Sequence, residues 1–306
     1  MSTIQKIIGA IIALLVIAAG AFYLTQPHQK TAKEQVLRIQ FTPSEHADEL
    51  VARAKPLGEA LSKALDMPVK VSVSTDYGSI VEAMAAKKVD VGFLPTAAYV
   101  SAHDQYGVKP ALLILRKDVN AQGQSIDKLV NFYRSEILVR KDSGINSVQD
   151  LKGKKIAVQD PTSASGYIYG VLALDKAGLK LSRDWTPVNI KGHDQAAIAV
   201  ENRDVDAAFV WQDVRSIITK DVPTIFKDTK VLSYSANIPN DMVATRKDLD
   251  PALKAKIEAA LMAYAKDKDG QKVLMSIYNI NGFEKAKDSD FDIVREANKA
   301  LAKTGN

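Results

Sequence analysis

The chain has 306 residues, of which 46% are hydrophobic and 25% charged, with a formal net charge of +5. That balance excludes a disordered tail or a fibre and leaves material for one large domain or two lobes of ordinary size. The absence of cysteine excludes disulfides, a thiol nucleophile and a cysteine-linked lipid anchor, and mixed-sign stretches such as Lys266-Asp267-Lys268-Asp269 leave no basic stripe for nucleic acid.

Ile7 to Leu24 is an uninterrupted apolar, Gly or aromatic run behind the single cation Lys6, and Ala19-Gly20-Ala21 offers a cleavage site. Residues 1–24 therefore read as a signal peptide or an N-terminal membrane anchor, and polar residues 25–35 as a linker. Either reading puts residues 36–306 outside the cytoplasm. Val36–Phe41 and Val69–Val73 have the pattern of strands, with Leu50, Ala54, Leu57, Leu61 and Leu65 at helical spacing between them. Pro56 is expected to kink or restart that helix. Further strands are expected at Val89–Phe93, Lys154–Val158, Val188–Ile190, Asp206–Val210 and Val231–Tyr234, alternating with helices. That alternation predicts α/β sheets with mostly parallel strands. From Pro251 to Ala302 the pattern reads as helical throughout, with Pro251 in a first turn after Asp250.

Ile80–Leu94 and Ala196–Val210 resemble each other: Ala83 and Ala199, Val89 and Val205, Asp90 and Asp206, and Phe93 and Phe209 coincide. Tyr77 and His193 stand at equal distance before each Val-Asp pair. A chance likeness between two amphipathic helices feeding two strands is the alternative. Duplication instead predicts two similarly built lobes with a ligand in the cleft beyond the carboxyl ends of their strands.

Gln159-Asp-Pro-Thr-Ser-Ala-Ser-Gly-Tyr167 follows a strand and opens an apolar helix expected over Tyr167–Ala177. Small residues, the hydroxyls of Ser163 and Ser165, and the free N–H groups of a first helical turn make an anion cradle. The local alternative is an ordinary serine cap after a turn. The Gly-x-x-x-x-Gly-Lys pattern of a nucleotide-binding loop is missing. With four histidines and none paired at i, i+4, no metal site or cofactor is expected. No nucleophile elbow marks an enzyme.

Asp160–Gly166, Gly192-His-Asp with Ala196 and Ala199-Val200 behind it, Ile238-Pro-Asn-Asp241 and Arg246-Lys-Asp-Leu249 together resemble the phosphonate-binding components of phosphate/phosphite/phosphonate ABC importers. The likeness covers roughly residues 36–265. It implies an α/β, two-lobed type II periplasmic-binding-protein fold, with residues 36–134 and 242–306 in one lobe and 135–241 in the other. Hinge strands are expected near Phe132–Val139 and Ser233–Arg246. The resemblance further implies a non-enzymatic, monomeric solute-binding protein with two partners, a small phosphorus-containing anion and a membrane permease. A sensor module or a sulfonate-type binding protein on the same fold is the alternative. It places the anion on Ser163, Ala164 and Ser165, with Ala164 lacking a hydroxyl usual in the family, and on His193. From the first lobe it brings Tyr77 and, where Leu94 replaces an aromatic, Thr96 or else Tyr99. Asp213 and Asp241 align with acids that hold the amino group of some ligands. Beside an anion they need a ligand ammonium, a protonated ligand oxygen, or an arginine such as Arg215 or Arg246.

Overall fold

The structure, a computed structural model, describes residues 36–44, 47–120 and 124–304. The expected export segment and linker, residues 1–35, lie outside the described residues. No helix among the described residues is long and apolar enough to cross a membrane.

The chain begins with β1 (Leu37–Phe41), α1 (Ala47–Leu65), β2 (Val69–Val73), α2 (Tyr77–Ala85), β3 (Val91–Leu94) and α3 (Thr96–Tyr106), then enters a hairpin of β4 (Lys109–Val119) and β5 (Ser125–Val130). It crosses through β6 (Phe132–Tyr133) into β7 (Ser135–Arg140), β8 (Lys155–Val158), α4 (Tyr169–Lys176), β9 (Thr186–Asn189), α5 (His193–Glu201), β10 (Ala207–Trp211), α6 (Val214–Ile218), α7 (Ile225–Asp228) and β11 (Thr229–Tyr234). It returns through β12 (Ile238–Pro239) to β13 (Met242–Thr245), α8 (Pro251–Tyr264), α9 (Lys268–Tyr278), β14 (Gly282–Lys285) and α10 (Asp292–Lys303).

Two sheets result, ordered β14-β4-β13-β3-β1-β2, with β5 on β4, and β11-β7-β10-β8-β9. Each has helices and an apolar cluster on both faces. Between the sheets the crossing segments pair as β6 and β12, with Tyr133 opposite Ile238. The final helix, α10, packs through Val294 and Ala297 into a cluster that joins Tyr99 of α3 to Ile168 just before α4, so it touches both lobes.

Strand direction departs from the mostly parallel arrangement expected. β2, β1 and β3 are parallel, as are β9, β8 and β10, but β13 and β7 run antiparallel to their neighbours. Both of these strands arrive from the opposite lobe, so each enters its sheet against the local direction.

Two local expectations are also corrected. α1 does not restart at Pro56 but continues through it, because Leu50, Ala54, Leu57 and Leu61 are fully buried on one face while Ala52 and Pro56 are exposed. Pro56 has no N–H to offer the carbonyl of Ala52, itself an exposed residue. The stretch after Pro251 is not helical throughout: Gly282–Lys285 is a strand because it finds an open edge on β4.

The internal similarity is structural. Asp90 accepts the N–H of Arg38 in β1 at 2.8 Å and donates its own N–H to Arg38 O at 2.9 Å. Asp206 makes the same exchange with Lys155 in β8, at 2.8 and 2.9 Å. The repeated Val-Asp thus fastens each helix-to-strand turn to the first strand of its own parallel unit.

Candidate functional site

A cleft of about 130 Å³ opens between the sheets, and residues just beyond β1, β3, β8 and β10 line it: Ser44, Pro95, Ser163 and Gln212. Open α/β sheets place ligands at such strand ends. A single water needs only ~10–15 Å³, so a solute of several heavy atoms fits.

After β8 the chain turns at Ser163, whose Oγ accepts the Gly166 N–H at 3.1 Å and keeps its proton to donate. The N–H groups of Tyr167 and Ile168 both return to Ser163 O, at 3.0 and 3.1 Å. This makes Ala164–Ile168 a wide π turn that runs into α4, so the helical segment starts earlier than the sequence suggests. Gln159 clips this turn to the start of α5: its Oε1 accepts the Gly192 N–H at 3.0 Å and its Nε2 donates to Gly192 O at 3.3 Å. Only glycine fits at Gly166, since a Cβ there would lie 2.2 Å from Gln159 Cγ and 2.9 Å from His193 Cε1.

His193 is the first residue of α5 and is 3% exposed, and burial pushes its imidazole down to about 3. The ring is therefore neutral at pH 7, with one N–H to offer. Its Nδ1 is buried without a hydrogen-bond partner. Tyr77 opens α2 behind a capping box in which Asp76 accepts the Ser79 N–H at 2.7 Å. Burial pushes the hydroxyls of Tyr77 and of Tyr133 well up, so both stay protonated donors. Beside the cleft the lobes touch: the His193 N–H donates to Ser44 O at 3.2 Å and Lys191 Nζ to Thr75 O at 2.7 Å.

Of the eight residues singled out from sequence, Tyr77, Ser163, Ser165, His193, Asp213 and Asp241 line the cleft together. Thr96 and Ala164 are not on its wall. Thr96 is fully buried and donates its hydroxyl to Pro239 O at 2.7 Å, which spends it on the lobe crossing. Ala164 turns its methyl into the apolar cluster around Ile80 and Tyr99. Tyr99 is buried there too, its hydroxyl donating to Asp288 at 2.9 Å.

One of the two acids has a partner other than those expected. Asp241 is paired at 2.7 Å with Arg116, a residue of β4 that sequence reasoning missed. Arg246 instead pairs with Asp90 at 2.8 Å. Asp213 sits in the left-handed region, φ +74°, at 9% exposure. Burial pushes its carboxyl up to about 7 against the opposing pull of Arg215. Behind it, Glu136 of β7 is 1% exposed and is pushed up to about 8, again by burial with Arg215 opposing. The Arg215 guanidinium carbon lies 4.6 Å from the centre of the Phe226 ring.

Tyr133, Trp211 and Tyr278 also line the cleft and were not found from sequence. Tyr133 carried a faint signal, since it sits in the expected crossing segment. Arg116 carried another, as the first charge after the apolar run Ala111–Leu115.

Two similarly built α/β lobes, joined by crossing strands around a cleft, define a type II periplasmic binding protein fold. Residues 39–291 match the family described as the phosphonate periplasmic substrate-binding proteins of ABC transporters, and the chain belongs to that family. The phosphate-import protein PhnD of Mycolicibacterium smegmatis is 30% identical over 219 residues, 68% of this chain and 65% of that protein. The chain thus spans just under two thirds of that relative. The phosphonates-binding periplasmic protein of Escherichia coli is 28% identical, over 82% of this chain and 72% of its own. A binding-protein component of an ABC phosphonate transporter from Pseudomonas aeruginosa superposes with a TM-score of 0.74 at 23% identity, covering 89% of this chain and 88% of that one, a likeness of fold.

Proposed function

We propose that this protein captures a phosphonate or related phosphorus oxyanion outside the cytoplasm by closing its lobes, and delivers it to an ABC permease. Residues 1–24 serve as its export signal or anchor, residues 36–134 with 242–306 and residues 135–241 act as the two moving lobes, and it works as a monomer without catalysing a reaction. The observation that carries this reading is the convergence of Ser163, Ser165 and His193 from one lobe with Tyr77 from the other on one cleft wall. Those groups are hydroxyl and imidazole donors at helix starts, the chemistry that suits a tetrahedral oxyanion. In a drier, closed cleft each charge-assisted hydrogen bond contributes about 1.5–3 kcal/mol, and a handful suffices for micromolar binding after association costs. Tyr133 and the crossing pair β6–β12 supply the hinge on which the lobes turn.

The test is titration of residues 32–306 with phosphate, phosphite, methylphosphonate, aminoethylphosphonate and alkylsulfonates, followed by calorimetry and by the fluorescence of Trp211. A phosphorus oxyanion is expected to bind best. Tighter binding of taurine or an alkylsulfonate would defeat the assignment and leave the fold standing.

A further inference from the structure

Each carboxylate on the cleft wall already faces a cation of the protein. Arg116 reaches Asp241, Lys128 meets Asp118 at 3.3 Å, and Arg215 stands beside Asp213. Arg116 is the most firmly held of these cations. Its Nη2 donates to Asp241 Oδ2 at 2.7 Å, Nη1 to Asn240 Oδ1 at 3.0 Å and Nε to Tyr278 O at 3.1 Å. The acceptors come from the return crossing and from the end of α9, and Asn240 is itself fixed by its Nδ2 donating to Val130 O at 3.1 Å. Arg116 and Asp241 are each 20% exposed. A planar fork spread over three acceptors is pre-organised, and displacing it would leave a half-buried guanidinium unpaired.

A ligand ammonium entering this cleft therefore finds its best carboxylate covered and meets a fixed positive charge beside it. An uncharged substituent meets no such conflict, and Val119, Val130, Phe132, Trp211 and Met275 give it an apolar wall. The second acid of the wall is a weak substitute acceptor, because burial disfavours the ionised form of Asp213. Resting on the functional reading above, we infer that Arg116 is a specificity-determining residue: by holding Asp241 it makes the cleft select phosphonates with a neutral organic substituent and reject those that carry an ammonium group.

Propylphosphonate and 2-aminoethylphosphonate differ by a methyl in place of an ammonium and isolate that choice. Calorimetry on the full chain is expected to give propylphosphonate the tighter binding by ~10-fold or more, the cost of leaving a charge unpaired in a half-buried site. Arg116→Gln frees Asp241, and the ratio of the two affinities is expected to move at least ~10-fold toward the aminoethyl compound. Arg116→Lys keeps the charge and is expected to hold the ratio within ~3-fold of the original. If Arg116→Gln does not fold, Asp241→Asn replaces it: the wild-type preference is expected to persist, since the lost carboxylate was not available to the ligand. Equal or tighter binding of aminoethylphosphonate to the unaltered protein overturns the inference alone, as does an unchanged ratio in a folded Arg116→Gln. Failure of both phosphonates to bind overturns the functional reading and this inference with it.

Discussion

Gly166 lets three pieces of the cleft meet, because the π turn, Gln159 and the His193 ring all approach where a side chain would stand. Gly166→Ala is expected to lower stability by roughly 1–3 kcal/mol, as overpacking does, and to weaken anion binding by displacing His193. Denaturant unfolding and calorimetry read the two effects, and an unaltered affinity would separate His193 from the ligand. Glu136 belongs to the same scale. Its folded carboxyl, at about 8 instead of 4.5, keeps a proton that the unfolded chain has released. Stability is therefore expected to fall as pH rises from about 4.5 to 8, by up to ~1.4 kcal/mol per pH unit, and to level off above. Asp213 acts in the same sense up to about 7. His193 acts in the opposite sense, because the unfolded chain takes up a proton below 6.5 that the buried ring refuses until about 3. Between pH 6.5 and 8 the acids act without it. Glu136→Gln is expected to flatten the urea midpoint over that range and to raise it at pH 8; a slope equal to wild type would mean that Glu136 folds ionised.

Among the elements, the starts of α2 and α5 face each other across the cleft, and Lys191, just before α5, reaches the carbonyl of Thr75 just before α2. This contact exists only with the lobes together. Lys191→Ala is expected to weaken ligand binding roughly 2–10-fold, the worth of one solvent-exposed hydrogen bond. Faster ligand release in stopped-flow fluorescence would mark the loss, and an unaltered release rate would show that the contact does not hold the closed form. These helix starts were legible in sequence because Tyr77 and His193 precede the two Val-Asp pairs at the same interval. The hairpin of β4 and β5 was not. Ser125–Leu129 is exposed along its whole length and has neither the alternation nor the apolar run that marks a strand. β14 was invisible for a related reason: four residues become a strand only because an edge of β4 is open to them.

At the scale of the whole molecule, one α/β unit occurs twice and its strands are exchanged through the crossing. Each sheet holds three parallel strands of its own unit and then a strand that came from the other side. The amino-acid sequence by itself determined the duplicated unit, the serine turn after β8 and the two helix starts, because these depend on local spacing, capping and small residues within a few positions of one another. The tertiary structure alone decided which charges meet. Arg116 and Asp241 are 125 positions apart, and only the antiparallel return of β13 beside β4 brings them within 2.7 Å. It likewise removed Thr96 from the cleft wall and gave its hydroxyl to Pro239, since hydrogen-bond partners in a buried crossing are chosen by packing between distant segments, and no local pattern encodes that choice.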